Sequence, residues 1–200
     1  DGVEAQFARR VEQAQLEDFL VGGEEIAFHV ISDEGEGLGL RLLLLAGEAL
    51  GDPVGQALAL GHRVTALVAE PALWALAHDD LDVVRADLLE PQSLRGVLEG
   101  HDAVLCLVGH KPEPLNQRES PQRGAPQAAL ATRHIVAAMS EAGVSRLVLM
   151  GAAGVGNSVA AGALGLGRWL HWLLPEVMAD KERQEALVRG SALHWTVLRP

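Results

Sequence analysis

Three glycines follow the first strongly apolar segment of the chain at regular spacing. Gly47, Gly51 and Gly55 are four residues apart, and Asp52-Pro53 between them is a typical start of a helix. Glycines between a strand and a helix bring backbone N–H groups and the helix N-terminus against a pyrophosphate. This spacing fits a dinucleotide site whose loop has drifted from the usual pattern, and it fits an ordinary strand-to-helix turn equally well.

Other kinds of chemistry have little support in the sequence. The chain has no tyrosine, and its eight histidines show no metal-ligand spacing of the His-Glu-x-x-His kind. No basic stripe interleaved with aromatic residues is present, so we expect no nucleic-acid partner. The longest apolar stretch, 159–174, contains Arg168 and His171 and falls short of the about 20 apolar residues of a membrane span. We therefore expect neither a metal site nor a membrane span.

Short apolar segments alternate with helical patterns along most of the chain. We predict strands at 41–46, 63–68, 82–86, 103–108, 146–151 and 194–199, and helices at 53–60, 71–77, 91–98, 126–142 and 178–190. Strands that are apolar throughout and separated by helices predict a parallel sheet covered on both faces. The fold class is therefore α/β, a doubly wound parallel sheet of the Rossmann type. Its ligand crevice is expected beyond the carboxyl ends of the strands.

The charge of the chain is concentrated at its beginning. Residues 1–38 hold ten acidic residues and two arginines, a net charge of −8, which leaves only −3 of the total of −11 for the other 162 residues. We predict an acidic N-terminal extension at 1–38 and one nucleotide-binding domain at 39–200. Apolar residues at helical spacing in the extension favour docking on a protein partner or a second copy of the chain. The lone Cys106 and the lack of a leader segment favour a cytoplasmic location.

A series of short segments occurs in a fixed order after Leu42: Gly61-His-Arg-Val-Thr-Ala-Leu-Val68, Val83-Val-Arg-Ala-Asp87, His101-Asp-Ala-Val-Leu-Cys-Leu-Val-Gly109, Ala131-Thr-Arg-His-Ile-Val136, Gly143-Val-Ser-Arg-Leu-Val148 and Trp195-Thr-Val-Leu-Arg-Pro200. Together they resemble the atypical short-chain dehydrogenase/reductase family, in particular its NAD(P)H-binding flavin reductase-like and NmrA-like branches. The resemblance implies an NAD(P) cofactor and a Rossmann-type fold. Relatives continue beyond the segment that ends here at Pro200, so we expect part of the substrate pocket to lie outside this chain.

The resemblance assigns cofactor contacts to the strand ends. Relatives that use NADPH place an arginine after the second strand, where this chain has Ala69 and Glu70, so NAD is favoured over NADP. Glu70 is equally explained as an exposed carboxylate before Pro71. Asp87-Leu88 matches the adenine edge, and Val108-Gly109 matches the segment that the nicotinamide ribose approaches; a turn without a ligand also accounts for Gly109.

The resemblance also shows which catalytic groups are missing. Many relatives have a serine where this chain has Gly151-Ala152, the last predicted cofactor contacts, and other members add a Tyr-x-x-x-Lys pair. Lys181 is the remaining weak catalytic candidate, and an exposed helical lysine paired with glutamates is the preferred alternative. We predict an NAD(P)H-binding reductase that passes hydride to a flavin or a similar small planar acceptor. The competing prediction is a non-catalytic nucleotide-sensing or assembly protein.

Overall fold

Six short apolar segments form the strands of one parallel sheet. The computed structural model describes residues 40–45, 53–109, 127–156, 172 and 174–199. The elements in these residues are β1 (Arg41–Leu45), α1 (Pro53–Ala59), β2 (Arg63–Val68), a 3₁₀ helix (Pro71–Leu73), β3 (Leu81–Arg85), a second 3₁₀ helix (Pro91–Leu94), β4 (Ala103–Cys106), α2 (Ala128–Ala142), β5 (Arg146–Met150), α3 (Pro175–Arg189) and β6 (His194–Leu198).

The strand order gives the sheet a point at which the winding reverses. The order is β3-β2-β1-β4-β5-β6, and every neighbouring pair is parallel. β1 pairs with β2 on one side and with β4 on the other, and Leu45 lies opposite Cys106. The carboxyl ends of β1 and β4 are therefore neighbours at one edge of the sheet. Open α/β sheets bind ligands at such a point. The predicted doubly wound parallel sheet is confirmed.

The continuous apolar runs are explained by burial on both faces of the sheet. Leu42 and Leu44 of β1 belong to one core cluster, and Leu43 and Leu45 belong to the other. Successive side chains of a strand point to opposite faces, so a central strand with two covered faces has no position for a polar residue. Cys106 in β4 is a free, buried cysteine.

Two predicted helices, at 71–77 and 91–98, are wrong. Each is a single 3₁₀ turn that begins at a proline and then becomes extended, at Trp74 (ψ 117°) and Arg95 (ψ 128°) respectively. After the first turn, Trp74 packs against the core cluster that includes Leu42 and Leu44 of β1. After the second turn, Gly96 has a left-handed backbone conformation (φ 72°). The other predicted elements within the described residues agree with the structure to within a few residues at their ends. The predicted N-terminal extension, 1–38, lies outside the described residues.

Two buried histidines precede strands at the amino-terminal edge of the sheet. His62 before β2 is 3% exposed and His101 before β4 is 9% exposed. The His101 Nε2 atom is hydrogen-bonded to the Thr65 hydroxyl at 2.8 Å. Burial lowers the pKa of both histidines below the ordinary value for the side chain. The folded protein therefore favours the neutral form of each ring.

We expect the stability of the protein to fall on mild acidification. Below about pH 6.5 the histidines of the unfolded chain bind protons that the folded chain resists, so the free energy of unfolding decreases there and is fully restored above that pH. Urea unfolding at pH 7.5 and 5.5 measures this difference. His62→Leu should flatten the dependence, whereas His194→Gln, at an exposed position, should leave it unchanged. If the wild type and His62→Leu lose the same free energy of unfolding between pH 7.5 and pH 5.5, His62 does not cause the pH dependence.

Candidate nucleotide site

The predicted cofactor residues that the structure describes lie along the carboxyl edge of the sheet. Parallel strands bring their ends to one edge, and Glu70, Asp87-Leu88, Val108-Gly109 and Gly151-Ala152 follow β2, β3, β4 and β5 respectively. Gly47 and Gly51 lie outside the described residues. Gly55 lies in the first turn of α1, whose Val54, Ala57 and Leu58 pack against the leucines of β1.

The loop after β3 is held in one conformation by three contacts. The Asp87 carboxylate accepts a hydrogen bond from the backbone N–H of Leu89 at 2.9 Å, and the Ser93 hydroxyl donates to the Asp87 carbonyl. His134 of α2 donates from Nδ1 to the Leu88 carbonyl at 3.0 Å. Asp87 remains exposed and Leu88 is half-buried. This loop therefore offers a fixed carboxylate that can accept from an amine such as that of adenine.

Glu70 is an exposed carboxylate at the end of β2. Its backbone is in an extended-like conformation (φ −131°, ψ 87°), and its side chain makes no capping hydrogen bond to the 3₁₀ helix that begins at Pro71. An exposed carboxylate at this edge can accept from ribose hydroxyls and repels a 2′-phosphate.

Lys181 is buried at the centre of the site. Its side chain reaches the carboxyl edge from α3, and the residue is only 7% exposed. The ammonium group donates to the carbonyls of Val108 at 2.9 Å and Met150 at 3.3 Å, and to the Gln184 side-chain oxygen at 2.8 Å. Our expectation of an exposed lysine paired with glutamates is therefore wrong. Position 181 is on the face of α3 that packs against the ends of β4 and β5.

A buried polar network continues from Lys181 to α2. The Gln184 amide donates from Nε2 to the Thr132 hydroxyl at 2.9 Å, and both residues are fully buried. The Thr132 hydroxyl lies 3.9 Å from the Cys106 sulfur. Burial raises the pKa of Cys106 and lowers the pKa of Lys181, the latter opposed by nearby carboxylates. These hydrogen bonds connect α2, α3 and the end of β4.

Gly109 is open toward the crevice. A Cβ atom placed on Gly109 has Lys181 Nζ at 3.7 Å and Lys181 Cε at 4.0 Å as its nearest neighbours, which is ordinary contact. The residue itself is exposed. Within the described part of the chain, a Cβ atom therefore fits at Gly109 without displacing a neighbour.

Gly151, in contrast, is enclosed by protein atoms. A Cβ atom at this position would lie 2.8 Å from Glu185 Oε1 and 3.0 Å from Val197 Cγ1. Glu185 is 3% exposed and accepts two hydrogen bonds from Arg199, from Nε at 2.8 Å and from a terminal nitrogen at 2.6 Å. These bonds keep the pKa of Arg199 above its usual value. Packing against this ion pair is sufficient to explain the glycine, and the neighbouring Ala152 is half-buried.

The N-terminus of α2 is already occupied by a side chain of the protein. The Asp180 carboxylate accepts from the backbone N–H groups of Ala128 at 2.7 Å and Ala129 at 3.4 Å, and Asp180 is 4% exposed. Two of the orphan donors of this helix are therefore paired with a carboxylate of α3.

Sequence reasoning did not identify the residues that support the site. They are Thr132, Gln184, Glu185 and Arg199, and the first three are fully or almost fully buried. One signal was available: polar residues at 180, 181, 184 and 185 share one face of α3 at helical spacing. A polar stripe of this kind on an otherwise packed helix indicates contacts with strand ends and loops.

Two negative findings apply to the described part of the chain. No group of three or more histidine, cysteine, aspartate or glutamate side chains there could hold a metal ion. Within the same residues, no helix is both long enough and apolar enough to cross a membrane.

Comparisons with known proteins identify the family and agree with the fold. The sequence family described as NAD(P)H-binding matches residues 52–200. No curated protein matches the sequence significantly. A wide-type short-chain dehydrogenase/reductase from Veillonella parvula, solved in complex with NADP, has a TM-score of 0.63 and 15% identity over 80% of this chain and 68% of that chain.

Two further solved structures have the same fold. ChuY, an anaerobilin reductase from Escherichia coli O157:H7, has a TM-score of 0.58 and 18% identity over 80% of this chain and 72% of its own. The enzyme WbmG from Bordetella bronchiseptica, solved in complex with NAD, has a TM-score of 0.61 and 17% identity over 82% of this chain and 54% of its own. At these identities the likeness establishes the fold.

Proposed function

The chain belongs to the NAD(P)H-binding family, and from that premise we propose that it is a reductase that passes hydride from a nicotinamide dinucleotide to a flavin or a similar planar acceptor. The dinucleotide would lie along the carboxyl edge of the sheet. Its adenosine would approach Asp87 and Glu70, and its nicotinamide ribose would approach Val108 and Gly109.

Gly109 is the observation that carries this proposal. It stands at the end of β4, at the point where the winding of the sheet reverses. It is exposed, and among the described residues a Cβ atom placed on it makes only ordinary contact, with Lys181. Such a point is where doubly wound sheets bind ligands. Two proteins of the same fold were solved in complex with NADP and with NAD, which supports a dinucleotide as the ligand.

The chemistry we propose needs positioning more than a protein acid. The chain has no tyrosine, and Gly151 has no room for a side chain beside the Glu185–Arg199 ion pair. Ser/Tyr/Lys proton transfer therefore has no counterpart at these positions. Hydride transfer to a flavin depends chiefly on holding the two rings in contact, which a fixed backbone at the strand ends can do.

NADH oxidation with and without FMN tests the proposed function. We expect flavin-dependent oxidation that Gly51→Val, in the glycine loop, abolishes by blocking the pyrophosphate. Lys181→Ala should slow it by less than about tenfold, because loss of a general acid would cost about 10²- to 10⁴-fold. A loss of Lys181→Ala activity in that larger range, in a variant that unfolds at the same urea concentration as the wild type, would assign Lys181 an acid role and contradict the proposal.

The second candidate function is a non-catalytic nucleotide sensor or assembly protein. The enclosed Gly151 favours it, because the end of β5 presents no reactive side chain. Dinucleotide binding without turnover on any flavin tested would support this alternative and contradict the reductase.

Cofactor choice is a further part of the proposal. We expect NADH to bind at least as tightly as NADPH, because the exposed Glu70 carboxylate repels a 2′-phosphate. Glu70→Arg should shift the preference toward NADPH by about tenfold or more, since a hydrogen bond to a charged group contributes about 1.5–3 kcal/mol. Calorimetric titration of both variants with both cofactors measures the shift.

The matched control for this substitution is Glu99→Arg. It makes the same charge change at an exposed residue near the opposite edge of the sheet, so it should leave the ratio of the two affinities unchanged. A clear preference of the wild type for NADPH would contradict the assignment of Glu70.

A further inference from the structure

We propose that Lys181 sets the redox-state preference of the site, by weakening the binding of the oxidised cofactor relative to the reduced one. The nicotinamide ring of NAD⁺ carries a positive charge, and the dihydronicotinamide ring of NADH is neutral. A cation fixed beside the ring position repels only the first. This inference rests on the proposed function, which places the nicotinamide end of the cofactor beside Gly109.

The hydrogen bonds of Lys181 identify its side chain as an ammonium ion. Its three donors have three acceptors, namely the carbonyl oxygens of Val108 and Met150 and the side-chain oxygen of Gln184. A neutral amine has only two N–H groups and would direct a lone pair at one of these oxygens. The arrangement therefore fits the charged form.

Within the described part of the chain, Lys181 forms no direct ion pair, and all three of the hydrogen-bond acceptors just described are uncharged. Two carboxylates of α3 lie nearby: Glu185 binds Arg199 through both oxygens, and Asp180 accepts from the first N–H groups of α2. Both carboxylates weaken the field of the Lys181 charge. Of the described charged groups, however, only the Lys181 ammonium lies within 4 Å of a Cβ atom placed on Gly109, so the charge nearest to the position proposed for the ring is positive.

This charge lies next to the position proposed for the ring. A Cβ atom placed on Gly109 would lie 3.7 Å from Lys181 Nζ. At an effective dielectric constant of about 20, two like charges about 8 Å apart change an affinity by roughly thirtyfold, and added solvent screening reduces this toward threefold. The effect would speed the release of NAD⁺ after hydride transfer and favour the reductive direction.

Affinities of three ligands separate a charge effect from structural damage. NADH, NAD⁺ and ADP-ribose share the adenosine and pyrophosphate groups, and ADP-ribose has no ring. We would measure their dissociation constants by calorimetry in the wild type, in Lys181→Met and in Thr132→Val. The last variant removes a hydroxyl from the same buried network and leaves every charge in place.

In the wild type we expect NADH to bind about tenfold more tightly than NAD⁺, and NAD⁺ to bind no more tightly than ADP-ribose. Lys181→Met should lower the NADH preference by about threefold to thirtyfold, mainly through tighter binding of NAD⁺. Thr132→Val should leave the preference unchanged. A purely structural role of Lys181 would instead weaken all three ligands together.

Two results would overturn the inference alone: a wild type that binds NAD⁺ as tightly as NADH, and a Lys181→Met variant with an unaltered preference. The wild-type comparison decides the matter if Lys181→Met does not fold. Failure of all three ligands to bind the wild type would overturn the proposed nucleotide site and this inference with it.

Discussion

Gly109→Val is expected to lower the affinity for NADH by at least about a hundredfold, or about 2.7 kcal/mol. The backbone of Gly109 is outside the left-handed region, and among the described residues a Cβ atom there meets nothing closer than 3.7 Å. A Cβ atom therefore fits at this position, and we expect the two methyl groups of valine to occupy the space into which the nicotinamide ribose must move. Calorimetric titration with NADH measures the loss.

The stability of this variant is its internal control. Because the residue is exposed, the free energy of unfolding should stay within about 0.5 kcal/mol of the wild type. Gly109→Ala adds one methyl group and should cause a smaller loss of affinity. If Gly109→Val folds normally and binds NADH as the wild type does, the ribose does not approach this backbone.

Glu185→Ala is expected to lower the free energy of unfolding by about 3 kcal/mol or more. The Glu185 carboxylate is almost fully buried and accepts both hydrogen bonds from Arg199, whose side chain is only 14% exposed. Removing it leaves a poorly solvated guanidinium without its carboxylate, and the space beside Gly151 becomes a cavity. Urea unfolding monitored by tryptophan fluorescence measures the change.

Glu182→Ala is the matched control on the same helix. Glu182 is exposed, and substitutions at such surface positions usually change stability by no more than about 0.5 kcal/mol. Equal losses for the two variants would mean that the ion pair contributes little to stability. The same contacts would then fail to explain why residue 151 is a glycine.

The fold was predictable because its signals are local. β1 and β4 are apolar at every position between their ends, and most of the turns between the described elements contain glycine or proline, so the alternation of strands and helices is readable from the chain. The two short proline-initiated turns were not predictable in the same way. Whether such a turn continues as a helix depends on a tertiary contact, here the packing of Trp74 on the core.

In the candidate site, too, the features set by local sequence were predictable and those set by tertiary contacts were not. The positions of Glu70, Asp87 and Gly109 follow from parallel strand ends meeting at one edge, and the family resemblance from the sequence agrees with the matched family. The burial of Lys181 did not follow, because its acceptors are 73 and 31 residues away in sequence. Helical periodicity indicates that a residue lies on one face but not which strand end that face meets.

A crystal structure of the protein grown with NADH tests the central claim most directly. The account predicts density for the dinucleotide along the carboxyl edge, with the adenine near Asp87, the ribose hydroxyls near Glu70 and the nicotinamide ring beside Gly109 and the Lys181 ammonium. A dinucleotide bound elsewhere on the protein, or a carboxyl edge that stays empty at saturating NADH, would contradict it.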